Sequence, residues 1–79
     1  MRHTVNSMGI VFSQRLKEER KHCGLTQMQI AALLGIPIST YRKYEAVKKC
    51  RREPDIDMIV KIATILKTTT DFLMGIDSV

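Results

Sequence analysis

The stretch that decides the fold runs from Gln27 to Glu45 and has the sequence QMQIAALLGIPISTYRKYE. Its pattern predicts two short helices joined by a tight turn. Ala31 has no side chain beyond Cβ, so the helix that follows can cross close above it. Gly35 accepts a positive φ at the turn without steric cost. The apolar residues that hold the two helices at a defined angle are Ile30, Leu34, Ile36, Tyr41 and Tyr44.

The second of these helices, predicted over 38–46, has a polar and basic side opposite Tyr41 and Tyr44. Ser39, Arg42 and Lys43 fall on that outer side. A projecting helix with such a face suits the major groove of DNA, where arginine and lysine side chains bond guanine edges or phosphates.

A helix is also predicted before this pair. Phe12, Leu16, Arg20 and Cys23 are spaced by four, four and three residues, as on one face of a helix. The predicted helix covers 11–22, and Gly24 is suited to close it in a left-handed conformation.

Capping residues predict where the remaining helices begin. Thr26 and Gln29 form a capping box at the start of the second helix. Asp55 caps a fourth helix after Pro54, and Thr69 caps a short fifth helix that Gly75 ends. No stretch alternates in the manner of a strand, so the prediction is an all-α domain of five short helices.

The chain divides into one domain with short flanking segments. Residues 1–9 show no periodicity and are predicted to be a disordered tail, with the true start at Met1 or Met8 left open. The domain is predicted over 10–75, and 76–79 form a short C-terminal tail.

The positive charge of the chain is concentrated in one segment. Thirteen Lys and Arg residues against eight Asp and Glu give a net charge of +5. Six of the basic residues lie between Arg42 and Arg52, with only Glu45 opposing them. Such a cluster is either a solvated surface run or a contact surface for an acidic partner, of which nucleic acid is one.

The length and composition of the chain argue against several functional classes. A chain of 79 residues has little room for a deep substrate cleft, so an enzyme is not expected. No apolar run approaches the roughly 20 residues that cross a bilayer. Cys23 and Cys50 can form at most one bridge, which fits a reducing cytoplasm. No Cys-x-x-Cys spacing exists and His3 lies in the predicted tail, so no metal site is expected. No cofactor is expected, and Pro37 and Pro54 interrupt any amphipathic basic helix that would bind a membrane surface.

Taken in order, the residues resemble the helix-turn-helix family of phage repressors and Cro-like proteins, the XRE family. The matching segments are Arg15-Leu16-Lys17-Glu18-Glu19-Arg20, Gly24-Leu25-Thr26-Gln27, Ile30-Ala31, Leu34-Gly35-Ile36, Ser39-Thr40, Tyr44-Glu45, Pro54, Ile59-Val60-Lys61-Ile62-Ala63, Leu66 and Phe72-Leu73-Met74-Gly75. The resemblance extends from Phe12 to Gly75 and implies a lambda-repressor-like fold and sequence-specific DNA binding. The chain departs from the family in its longer connector before Pro54 and in having Pro37 and Ile38 where a serine cap and a polar residue are common.

The resemblance implies roles for individual residues. Gln27 is expected to hold a phosphate or the first side chain of the recognition helix, and Arg20 and Glu45 to bridge helices 1 and 3. Base or phosphate contacts are predicted for the recognition helix, and phosphate contacts for residues 48–53, which we call the basic connector. Together with Gln27, the predicted DNA-binding residues are Ile38, Ser39, Thr40, Arg42, Lys43, Lys48, Lys49, Arg51 and Arg52. For Ile38, contact with a thymine methyl and simple packing are equal alternatives.

One copy of a domain this small covers about half of an operator, since half-sites lie about 34 Å apart. We therefore expect a homodimer on a pseudo-palindromic operator. The predicted dimer contact is Phe72, Leu73, Met74 and Ile76, although Phe72 and Leu73 would alternatively complete the core. The expected function is a transcriptional regulator of prokaryotic or phage type, either repressor or activator, with double-stranded DNA as its partner. The alternative is an antitoxin-like protein-interaction module with secondary DNA binding. The possible protein partners are a toxin, for an antitoxin, or RNA polymerase, for a regulator that recruits it.

Overall fold

The computed structural model describes the backbone over residues 4–47 and 52–76, and the side chains within these ranges from residue 10 onward. The described chain is all-helical, which confirms the predicted all-α class. Its five helices are α1 (Thr4–His22), α2 (Gln27–Leu34), α3 (Ile38–Glu45), α4 (Ile56–Leu66) and α5 (Thr70–Met74).

Helix α1 begins earlier than predicted. The sequence predicted a helix from Val11 and an irregular segment before it, but α1 starts at Thr4, so that boundary was wrong. Once the amphipathic part of a helix has formed, each further residue adds a backbone hydrogen bond at low cost. Gly9 inside the helix costs only about 1 kcal/mol relative to alanine, which does not end it.

Both ends of α2 follow the predicted local rules. Thr26 Oγ1 accepts from the Gln29 amide at 3.1 Å, and Gln29 Oε1 accepts from the Thr26 amide at 2.8 Å. Gly35 closes α2 in the left-handed region with φ 73°. α3 ends at Glu45, one residue before the predicted end, because Ala46 is already extended.

The two C-terminal helices also begin where predicted. Asp55 Oδ1 accepts from the Met58 amide at 2.9 Å at the start of α4. Thr69 Oγ1 accepts from the Phe72 amide at 3.0 Å at the start of α5. α5 ends against α1, since a Cβ on Gly75 would lie 2.9 Å from Val11 Cγ1.

The core lies between all five helices. Ala31 is 2% exposed, and α3 packs against α2, as the small side chain at this position predicted. The apolar side chains that are almost completely buried are Leu16, Ile30, Leu34, Tyr41, Ile62 and Leu73. Among the described residues, no helix is both long and apolar enough to cross a membrane.

Candidate nucleic-acid interface

Helix α3 has one face in the core and one in solvent. Tyr41 and Tyr44 are buried, with ring centroids 6.3 Å apart in an edge-to-face arrangement. Ser39, Arg42 and Lys43 are exposed on the other side of the helix. Helix α3 therefore has the predicted buried face and the predicted polar, basic outer face.

The two remaining predicted contacts on α3 are half-buried. Ile38 packs partly against the core cluster, which is the packing alternative considered for it, and Thr40 lies at the edge of the outer face. Both keep part of their surface in solvent, so their contact with DNA stays a prediction.

The carboxylate of Glu45 holds the C-terminal end of α3 to α1 through hydrogen bonds. Arg20 of α1 donates from Nε to Glu45 Oε2 at 2.7 Å and from Nη2 to Oε1 at 3.3 Å. The hydroxyl of Tyr41, one turn earlier on α3, also donates to Oε2. Both side chains of the ion pair are almost completely buried. The predicted bridge between helices 1 and 3 is confirmed.

Gln27 completes this arrangement. Its Nε2 donates to Glu45 Oε1 at 3.0 Å, so the first residue of α2 is linked to the last residue of α3. The resemblance implied contact with a phosphate or with the first side chain of the recognition helix. That first side chain is Ile38, which has no polar atom, and Gln27 is bonded to the opposite end of α3 instead. We call Arg20, Gln27, Tyr41 and Glu45 the Glu45 cluster.

The electrostatics of the Glu45 cluster favour one set of protonation states. Burial by itself raises the pKa of Glu45, but hydrogen bonds from Arg20, Tyr41 and Gln27 outweigh it and hold the pKa below its ordinary value. The hydrogen bond with Glu45 raises the pKa of Arg20. Burial, together with the bond to Glu45, raises the pKa of Tyr41 far above that of a free tyrosine. At neutral pH the cluster is thus an ion pair with a neutral phenol donor.

Arg52, a described residue of the basic connector (residues 48–53), is bonded to α3. The Arg52 amide donates to the Lys43 carbonyl at 2.9 Å, which brings the exposed Arg52 beside the end of the outer face. The predicted phosphate contacts Lys48, Lys49 and Arg51 lie outside the described residues.

The predicted dimer contact needs correction. Leu73 is 0% exposed and belongs to the core, so it offers no surface to a partner, and its assignment to the dimer contact was wrong. Phe72 is half-buried, with the guanidinium of Arg15 4.3 Å from its ring centroid, and Met74 is half-buried as well. Ile76 is the exposed member of the set, at 53%.

Sequence reasoning missed two hydrogen bonds that hold α3: that from Tyr41 to Glu45, and that from Ser13 to the Tyr44 carbonyl. The four-residue spacing of Tyr41 and Glu45 is a signal for their contact, because side chains four apart on a helix are neighbours. No local signal indicates that Ser13 Oγ donates to the Tyr44 carbonyl at 2.8 Å, since 31 residues separate them.

Comparison with known protein families matches residues 16–73 to the helix-turn-helix family. The match covers well over half of the chain, and the chain therefore belongs to this family. This confirms the resemblance to XRE-type and Cro-like proteins that the sequence motifs indicated.

Curated relatives are regulators of the same type. The SPbeta prophage-derived uncharacterized HTH-type transcriptional regulator YonR of Bacillus subtilis (strain 168) is 41% identical over 64 residues, covering 81% of this chain and 56% of that protein. The HTH-type transcriptional regulator ImmR of the same organism is 36% identical, covering 84% of this chain and 50% of its own length. The cryptic phage CTXphi transcriptional repressor RstR of Vibrio cholerae is 37% identical, covering 78% and 53%.

The chain spans about half the length of these curated relatives. No solved structure matches it. The family is one of transcriptional regulators rather than enzymes, as the sequence analysis predicted for this domain.

Proposed function

We propose that this chain is a sequence-specific DNA-binding transcriptional regulator of prokaryotic or phage type, acting in the cytoplasm. Helix α3 enters the major groove, and the chain binds a pseudo-palindromic operator as a homodimer. The relatives named as HTH-type regulators and as a phage repressor support the class.

One observation carries the proposal: a short helix is anchored on one side and basic on the other. Tyr41, Tyr44 and Glu45 fix the inner side of α3 in the core. Arg42 and Lys43 extend from the outer side. A rigid helix can bring these cations to base edges without ordering new backbone, so its contacts are not offset by a large loss of entropy.

The basic connector adds an electrostatic contribution. Arg52 lies beside the end of α3, and the sequence adds Lys48, Lys49 and Arg51 before it. Neutralising phosphates gives affinity that is independent of sequence and falls steeply with salt. We expect α3 to supply specificity and the connector to supply part of the affinity.

The test begins by selecting bound sequences from a random duplex pool. The selected duplex is then titrated with wild type and with Arg42→Ala/Lys43→Ala at several salt concentrations. We expect affinity to fall about 10- to 100-fold in the variant and the salt slope to become shallower. Lys17→Ala/Lys21→Ala removes the same charge from exposed positions of α1 and is the matched control. Equal affinities for wild type and the α3 variant would reject the proposal.

The homodimer is tested by its molar mass in light scattering. Ile76, with parts of Phe72 and Met74, remains the proposed contact after the exclusion of Leu73. Ile76→Glu is expected to give a monomer, while Ile56→Glu, which changes another exposed isoleucine, is expected to leave the dimer intact. The reverse result would move the contact to α4.

A further inference from the structure

Glu45 does more than pair with Arg20. A salt bridge to Arg20 needs only the two guanidinium donors, yet the carboxylate also accepts from Gln27 Nε2 at 3.0 Å. Glu45 is the last residue of α3, and Gln27 is the first residue of α2. The bond therefore joins the start of one helix to the end of the other, across 18 positions of sequence.

The start of α2 is suited to an anion such as a DNA phosphate. The first amides of a helix have no acceptor within it, and they favour an anion. Thr26 Oγ1 takes the Gln29 amide, while the amides of Gln27 and Met28 have no acceptor inside α2. The side-chain amide of Gln27 has two hydrogens. One is directed at Glu45, and the other remains for a phosphate oxygen.

We propose that Glu45 is a positioning residue for DNA binding, acting through Gln27. It holds the Gln27 side chain against the end of α3, so that a phosphate contact at the start of α2 and base contacts on α3 are made in one fixed register. The inference rests on the proposed function, because it assigns Glu45 a part in that same DNA contact.

The charge on Glu45 does not oppose this role. A lone carboxylate beside a phosphate contact would repel the DNA. The Arg20 guanidinium lies 2.7 Å and 3.3 Å from the two carboxylate oxygens and compensates the charge. Arg20 Nη1 also donates to the Leu25 carbonyl at 2.8 Å, which fixes the turn just before α2. Glu45 can thus act as an acceptor for Gln27 without adding net negative charge.

The alternative is that Glu45 matters only for folding, and a cycle of variants separates the two. Affinity for the selected duplex is measured for wild type, Gln27→Met, Glu45→Gln and the double variant, each checked to be folded by circular dichroism. We expect each single variant to bind about three- to ten-fold more weakly, the effect of one hydrogen bond. The double variant is expected to bind no more weakly than the weaker single variant, because both changes break the same link.

A second background guards against loss of folding in Glu45→Gln. Arg20→Met/Glu45→Met removes the ion pair as a unit and leaves an apolar filling. In that background Gln27→Met is expected to change the affinity less than two-fold. Gln14→Met is the matched control, since Gln14 is exposed on α1, and it should bind as wild type does.

The outcomes are distinct. Effects of Gln27→Met and Glu45→Gln that multiply in the double variant would overturn the inference and leave the proposed function standing. A wild-type chain that selects no duplex at all would overturn both. Coupling in binding that persists when all variants are fully folded supports the positioning role, because a purely structural role changes stability alone.

Discussion

Removing the cation of the Glu45 cluster should destabilise the fold more than any surface change of equal charge. Arg20→Met keeps a long side chain between α1 and α3 but leaves Glu45 without its charge partner. The side chains of Arg20 and Glu45 are 9% and 4% exposed, so water cannot replace the lost donors. The remaining donors to the carboxylate are the neutral groups of Tyr41 and Gln27.

The size of the effect follows from burial. Breaking a buried ion pair by removing one partner costs about 3–5 kcal/mol. Because Tyr41 and Gln27 still solvate the carboxylate, we expect the lower end, about 3 kcal/mol. A domain of this size has a total stability of about 4–12 kcal/mol. The loss corresponds to a decrease in Tm of roughly 12–24 °C.

The assay is urea and thermal unfolding followed by circular dichroism at neutral pH. Lys17→Met is the control, because it removes one positive charge from an exposed position of α1 and should change stability by less than about 0.5 kcal/mol. Arg20→Met/Glu45→Met should recover most of the loss, since no unpaired charge remains. A single variant as stable as the control, or a double variant less stable than the single one, would refute the reasoning.

Three further outcomes are expected from single changes. The pKa of Glu45 is lowered in the fold, so its contribution to stability is complete above the unfolded pKa of about 4.3 and is lost as pH falls through the folded pKa. In urea titrations, the difference in the free energy of unfolding between wild type and Glu45→Gln should therefore shrink from about pH 7 to about pH 3. Asp55→Ala removes the cap of α4 and should lower the free energy of unfolding by about 1 kcal/mol, whereas an unchanged midpoint would mean that the cap contributes nothing. Lys67 ends α4 at φ 57°, in the left-handed region, so Lys67→Gly should raise stability by about 0.5–1 kcal/mol, and a lower Tm would contradict the strain argument.

The helix ends could be predicted from the sequence because their causes are local. The capping box of Thr26 and Gln29, the cap at Asp55 and the left-handed Gly35 each involve residues no more than a few positions apart. The outer face of α3 was predictable for the same reason, since helical spacing alone separates Arg42 from Tyr41. The start of α1 was not, because no residue before Val11 carries a strong helix signal and the boundary depends on propagation from the packed part of the helix.

The burial of the C-terminal residues could not be predicted locally. Phe72, Leu73 and Met74 are consecutive apolar residues on a helix of five, and their sequence does not say which of them faces inwards. Packing of α5 against α1 and α4 encloses Leu73 and leaves Phe72 and Met74 half-buried. The exposed apolar surface is therefore smaller than the sequence indicated.

The sequence by itself determined the five helices, their caps and the basic outer face of α3, since these depend on residue types within one or two turns. The family could also be identified from the sequence, because its motifs occur there in order. Only the tertiary structure decided which donors reach Glu45, because Arg20 and Gln27 lie 25 and 18 positions away on other helices. A buried carboxylate must find partners wherever the fold brings donors together. That requirement links the start of α2 to the end of α3.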